Sequence, residues 1–130
     1  MIEVISKVLK KINISLYRML NYKLYKNKVI LYGIPKLIDR DKIILNKNVR
    51  INNNIFMQGS GGIEIKENVT LSHGVTIISA GYEIDDWEKN KIEKKHEYKK
   101  VIIGENVWVC ANVTILPGIP PYFFKCVAVM

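Results

Sequence analysis

The sequence predicts an all-β solenoid: a parallel β-helix of hexapeptide repeats with an N-terminal helix and one long extruded loop. Three observations predict it. A six-residue frame keeps aliphatic residues at fixed places, most hexads end in Asn or Gly, and a long charged interruption is followed by the same frame. At 130 residues this is one domain with a single core. Its organisation divides into residues 1–28 as an amphipathic helix or cap, 29–119 as the β-helix with a loop over 81–100, and 120–130 as an irregular tail.

In the first segment Ile2, Ile5, Leu9, Ile12, Leu16, Met19 and Leu20 recur at roughly helical spacing, with Lys7, Lys10, Lys11 and Arg18 between them. The lysines break each apolar run well before the roughly 20 residues of a membrane span. The uninterrupted apolar stretch and small-residue cleavage site of a signal peptide are also lacking. Two readings stand: a helix capping the open end of the core, or an amphipathic helix lying on an anionic membrane.

From Ile43 the hexads are IILNKN, VRINNN and IFMQGS. After Gly61 and Gly62 come IEIKEN, VTLSHG and VTIISA, and from Val101 come VIIGEN, VWVCAN and VTILPG. First positions (Ile43, Val49, Ile55, Ile63, Val69, Val75, Val101, Val107, Val113) are all β-branched. Third positions (Leu45, Ile51, Met57, Ile65, Leu71, Ile77, Ile103, Val109, Ile115) are all aliphatic or Met. Residues two apart in a strand share a face, so each hexad supplies a short strand with one apolar side. Sixth positions are mostly Asn or Gly, which tolerate the left-handed backbone of a corner; Ser60 and Ala80 are the exceptions. Three strands and three corners make a turn of eighteen residues, and stability comes from stacking turns.

These hexads, above all VIIGENVWVCANVTILPG (Val101 to Gly118), resemble the hexapeptide-repeat acyltransferases, a family that includes sugar O-acetyltransferases and serine acetyltransferase. The resemblance covers about residues 29–119. It implies a left-handed winding, against the usual hand of crossovers. It also implies a homotrimer with active sites between adjacent subunits, and acetyl-coenzyme A as co-substrate with no metal.

The interruption GYEIDDWEKNKIEKKHEYKK lies between Ala80 and Val101, and loops this long in a compact domain are usually functional or disordered. Acetyl transfer to an alcohol needs a base for the hydroxyl proton, and a histidine, titrating ordinarily near about 6.5, suits that work. The chain has two histidines. His96 sits five residues before the frame resumes, similar to where serine acetyltransferase places its catalytic histidine; His73, at a corner of VTLSHG, is the other candidate. Many sugar acetyltransferases carry their histidine where the loop begins, and here Gly81 and Tyr82 stand there. Serine acetyltransferase has Asp before its histidine, where this chain has Lys95; Glu97, Asp85 or Asp86 are left to orient the ring.

Trp108, at the second position of its hexad, points outward. The resemblance places it beside the thioester or pantetheine arm, while packing between subunits is the plainer reading. Ala111 matches a corner whose backbone contacts the cofactor in related enzymes. Asn53, Tyr82, Asp85, Asp86 and Trp87 are the candidate acceptor-binding residues, although Asn corners are what the coil wants in any case. Cys110 is read as packed, and the two cysteines as forming neither a metal cluster nor a disulfide framework, which fits a reducing cytoplasm.

After Gly118, Pro121 takes an inward place and YFFKCVAVM is read as not returning to frame. Related enzymes continue with further turns, so the chain resembles a C-terminally truncated member. The expected function is acetyl-coenzyme A-dependent O-acetyl transfer to a sugar or surface-polysaccharide precursor. The alternatives are a serine acetyltransferase-like enzyme, disfavoured by the lack of a long N-terminal helical domain, and a catalytically impaired remnant. The net charge of +8 favours anionic partners. The lysines are spread without a recognised nucleic-acid module, so the expected partners are a glycan or small-molecule acceptor and copies of the chain. The expected location is cytoplasmic, with peripheral membrane contact through the first helix as an option.

Overall fold

The computed structural model describes residues 1–83, 94–118 and 126–127. Helix α1 (Ile2–Leu20) and the short α2 (Tyr22–Tyr25) precede the strands. In chain order these are β1 (Ile30–Leu31), β2 (Lys36–Ile38), β3 (Ile43–Leu45), β4 (Arg50–Ile51), β5 (Phe56–Gln58), β6 (Ile63–Ile65) and β7 (Thr70–Leu71). There follow β8 (Thr76–Ile78), β9 (Ala80–Tyr82), β10 (His96–Tyr98), β11 (Val101–Ile103), β12 (Trp108–Val109), β13 (Thr114–Ile115) and β14 (Cys126–Val127).

Three parallel ladders take these strands in rotation. The first is β1-β4-β7-β12-β14, the second β2-β5-β8-β13 and the third β3-β6-β11. The chain steps from first to second to third ladder and back to the first, a β-helix-like arrangement of separate parallel sheets with an N-terminal helix. The only antiparallel pair among the described strands is β9 with β10.

The alternation within each hexad explains the core. All first- and third-position side chains from Ile43 to Ile115 are buried, none more than 6% exposed. Register stacks them in rows: Leu45 on Ile65 on Ile103, Ile51 on Leu71 on Val109, and Met57 on Ile77 on Ile115. Each unbranched turn thus buries six apolar side chains, at roughly 1.5–3 kcal/mol apiece. Val29, with the half-buried Leu31 and Leu37, carries the same pattern back toward the helix.

The corners follow the sequence reading with instructive exceptions. Asn48, Asn54, Asn68, Asn106 and Asn112 have φ of 58–59°, and Gly74 and Gly118 have φ of 73° and 82°. Asn48 donates to Asn68 and Asn68 to Asn106 through their side-chain amides, at 2.9 and 3.1 Å, so the corner between the third and first ladders is an asparagine stack. Ser60 and Ala80, expected corners, are not left-handed. The positive φ falls instead on Gly62 (92°), because Gly61 and Gly62 lengthen that corner.

That lengthening corrects the eighteen-residue turn. Ile30 faces Arg50, Lys36 faces Phe56 and Ile43 faces Ile63, each pair 20 residues apart. The extra residues lie at the corner between the second and third ladders, as the 3-10 turn Arg40–Lys42 after left-handed Asp39 and as the Gly59–Gly62 turn. In the next turn Ile63 faces Val101, 38 residues on, because the whole 81–100 excursion leaves at that same corner.

Two further expectations are corrected near the C-terminus. The tail returns to frame at one place: Cys126 pairs with Trp108 and Val127 with Val109, 18 residues on, adding a parallel strand to the first ladder. Residues 119–125 and 128–130 lie outside the described residues. Cys110 is disulfide-bonded, so the cysteines no longer argue for a reducing compartment. No helix among the described residues is long and apolar enough to cross a membrane.

The end of the core is covered from within residues 1–28, chiefly by the segment that follows α1. No residue of α1 is buried. The end of the core is closed by Tyr25, 1% exposed, with Tyr17 and Leu24 packed against it. The Tyr17 and Tyr25 hydroxyls are 2.8 Å apart, and burial, reinforced by that hydrogen bond, pushes the Tyr25 phenol well above its ordinary range.

Candidate functional site

The candidate residues fall into two groups at different corners. The first group lies between the first and second ladders, where successive turns place residues 52–54, 72–74 and 110–112. His73 is exposed, and its backbone carbonyl accepts from the Asn112 amide at 2.9 Å. Gly74 has a φ of 73° and lies close under Asn112: a Cβ there would come within 2.1 Å of Asn112 Oδ1, so the Asn112 side chain would have to move to admit one. Ala111 is exposed on the same turn as Asn112. Trp108 is 57% exposed, as alternation requires, and its Nε1 donates to Ser72 Oγ at 2.8 Å. That bond holds the indole against Ser72, the residue before His73. Asn53, one turn below, is exposed, but its Oδ1 accepts from Lys10 Nζ of α1 at 2.8 Å.

The second group is the root of the excursion. Ser79, fully buried, donates its hydroxyl to the Gln58 carbonyl at 2.6 Å and accepts from the Gly61 amide at 2.9 Å. Its carbonyl accepts from the Lys99 amide at 3.0 Å, tying the returning strand to the outgoing one. Gly61 is needed for this closeness: a Cβ there would lie 2.1 Å from the Ser79 carbonyl oxygen and 2.9 Å from the Lys99 nitrogen. Above this root β9 and β10 form a short hairpin in which His96 lies opposite Tyr82 and Tyr98 opposite Ala80.

His96 is exposed between two rings. Its imidazole centroid lies 4.8 Å from that of Tyr82 and 6.0 Å from that of Tyr98, the latter stacked at 25°. Lys94 Nζ stands 5.7 Å over the Tyr82 ring. An ion pair joins the outgoing and returning segments, Lys95 with Glu83 at 3.1 Å, and Lys99 pairs with Glu97 of its own segment at 2.7 Å. Glu97, a candidate to orient the imidazole, is thus engaged by Lys99. Asp85, Asp86 and Trp87 lie outside the described residues. At the foot of the hairpin Lys100 reaches Glu64 of β6 at 2.7 Å, and Lys66 pairs with the same carboxylate. The Lys100 bond first, then that of Lys66, holds the Glu64 carboxyl below the usual glutamate range.

Within one chain, then, His73, Trp108, Ala111 and Asn53 are gathered at one corner, while His96 and Tyr82 stand at the next. Sequence reasoning missed Ser72, Ser79 and Tyr98. A signal for Ser79 was present: at the lengthened corner the fifth hexad place holds small residues, Gly59 and Ser79, both buried, where other hexads put Lys47, Glu67 or Glu105. Among the described residues no group of three or more His, Cys, Asp or Glu side chains is placed to hold a metal ion. A groove of about 680 Å³ is lined by residues of α1, α2 and the Arg40–Ile43 segment and includes neither histidine.

No family model matches the chain, and no solved structure matches it. Over 77 residues it is 30% identical to a protein of Saccharomyces cerevisiae named "Putative acetyltransferase YJL218W". The aligned stretch covers 59% of this chain and 38% of the yeast protein, so the chain spans well under half of that relative's length.

Proposed function

We propose that this chain is an acetyl-coenzyme A-dependent O-acetyltransferase, wound as a left-handed hexapeptide β-helix, that acylates a hydroxyl of a sugar or polysaccharide precursor. The observation that carries the proposal is the placing of His96. The charged excursion interrupts one corner of the three-ladder stack, and its root holds the imidazole outside the core between Tyr82 and Tyr98. The likeness to the yeast protein supports acetyl transfer as the reaction class.

The chain's residues suit the donor. Trp108 presents an exposed ring, pinned by Ser72, against which a pantetheine arm packs, and exposed Ala111 leaves its backbone open beside it. The donor supplies an acyl group activated as a thioester. His96 takes the proton of the acceptor hydroxyl as the oxygen bonds to the acyl carbon. The carbon–sulfur bond then breaks, and the imidazolium returns the proton to the leaving sulfur, giving an ester and a free thiol. Tyr82 and Tyr98 flank that base with flat apolar faces suited to a sugar ring, which favours a glycan over the amino acid serine. Because the two corners are separate within one chain, the reading uses a homotrimer, in which His96 of one protomer meets the Trp108 corner of another.

A second reading makes His73 the base, favoured by its position beside Ser72, Trp108 and Ala111 on the same chain. The test is release of free thiol from acetyl-coenzyme A with a panel of sugars and serine. His96→Ala is expected to lower kcat about 10²–10⁴-fold, while Trp108→Ala raises KM for the donor more than it lowers kcat. Loss of turnover in His73→Ala alone assigns the base to His73. No thiol release with any acceptor, together with no coenzyme A binding, overturns the enzymatic reading in favour of an impaired remnant.

A further inference from the structure

Helix α1 meets the rest of the chain by the side that carries Lys10, Ile14 and Tyr17, opposite its main apolar stripe. Its two half-buried residues are Ile14 and Tyr17; Lys10 bonds Asn53 of the β-body, and Tyr17 bonds Tyr25, the α2 residue that closes the core. Residues 10, 14 and 17 share one helical face. At 3.6 residues per turn the other side carries an arc of about 120° holding Ile2, Ile5, Val8, Leu9, Ile12, Leu16, Met19 and Leu20 and no polar residue. Every one of these is 49–85% exposed. An amphipathic helix on an ordinary globular surface turns its apolar stripe inward; this one turns it away from the core. A contiguous apolar face of this extent marks an interaction surface.

Charge decides the occupant. Residues 1–28 hold Lys7, Lys10, Lys11, Arg18, Lys23, Lys26 and Lys28 against Glu3 alone, a net +6 of the chain's +8. A second copy seated on this face would bring two +6 segments together. An anionic lipid surface accepts both properties at once. Lys7, Lys11 and Arg18 lie on the polar side, a helix diameter of about 10–12 Å from the apolar row. A helix sunk about 5–10 Å into the headgroup boundary keeps such cations within about a Debye length of the lipid phosphates.

We propose that α1 docks this protein onto anionic bilayers, apolar face down, with the β-body held on the aqueous side by the Lys10–Asn53 and Tyr17–Tyr25 contacts. This stands independently of the acyl-transfer reading, since none of its residues belongs to either candidate corner except Asn53, which anchors the helix.

The test is flotation of the full chain with phosphatidylcholine vesicles and with phosphatidylcholine–phosphatidylglycerol vesicles, alongside sedimentation mass without lipid. Partitioning onto the anionic vesicles is expected to be at least about tenfold stronger, and to weaken with added salt. The L9S/I12S double variant is expected to lose about a hundredfold in partitioning, and K7E/K11E at least about tenfold on anionic vesicles alone. None of these four side chains is buried, so helical circular dichroism and mass are expected to stay unchanged. Equal binding to both vesicle types, or none to either, overturns the proposal. So does an L9S/I12S variant that floats like the parent but has a lower sedimentation mass, because a second copy then covers the face.

Discussion

Ser79→Ala tests whether a single buried hydroxyl holds the root of the excursion. In the folded chain Ser79 Oγ is the acceptor for the Gly61 amide at 2.9 Å and donates to the Gln58 carbonyl at 2.6 Å. Removing it leaves the Gln58 carbonyl still bonded by the Ser79 backbone amide at 3.1 Å. The Gly61 N–H, in contrast, loses its acceptor next to a fully buried side chain. Orphaning one such donor costs about 1–3 kcal/mol, whereas losing the second bond adds little when its acceptor stays paired. A destabilisation of about 2 kcal/mol follows, which at about 3–5 °C per kcal/mol for a chain of this size lowers Tm by roughly 6–10 °C. Differential scanning calorimetry reads the total, and amide hydrogen exchange reads the place: Gly61 and Lys99 are expected to exchange faster, with Ile65 and Ile77 unchanged relative to global unfolding. A Tm within about 1 °C of wild type, with Gly61 exchange unaltered, would mean that the root is held by β9–β10 pairing alone and refute the argument.

Two further outcomes follow from the core and the hairpin foot. Ile65→Ala, at a fully buried place between Leu45 and Ile103, is expected to cost about 2–5 kcal/mol by denaturant titration with little change in m-value; a loss below about 1 kcal/mol would mean the rows do not interdigitate. Glu64 has a folded pKa below its ordinary 4.5, so its pairing with Lys100 and Lys66 contributes stability in full above that value and loses it as pH falls through the lowered one. The Tm gap between wild type and Glu64→Gln is therefore expected to be constant near neutrality and to close in acid; a gap that widens on acidification would show the sign to be wrong.

The lengthened corner bears on how a stack of this kind tolerates an insertion. The Arg40–Lys42 turn, the Gly59–Gly62 turn and the excursion share that corner. They are stitched by Ser60 Oγ to Asp39 at 2.6 Å, the Lys42 ammonium to the Ser60 carbonyl at 3.2 Å, and Gly61 to Ser79. Two small excursions thus form a platform for the large one. The asparagine corner between the third and first ladders carries no such insertion among the described residues, and there the Asn48 and Asn68 amides each reach the Asn of the following turn.

The sequence by itself determined which side chains face inward. A strand's period of two, repeated in every hexad, leaves one face for Val, Ile, Leu and Met, and Asn or Gly at the sixth place marks where backbone φ turns positive. It also marked the excursion and both histidines. Tertiary structure decided what pairs with what. Register counts the residues spent at corners, so the 20-residue turns, the gathering of His73, Trp108 and Ala111 at one corner and the return of Cys126 to the first ladder depend on stacking between turns, which no local period records. The orientation of α1 is the same lesson: periodicity drew the apolar stripe, but the side carrying Lys10, Ile14 and Tyr17 faces the rest of the chain, where Lys10 bonds Asn53, 43 residues on, and Tyr17 bonds the buried Tyr25.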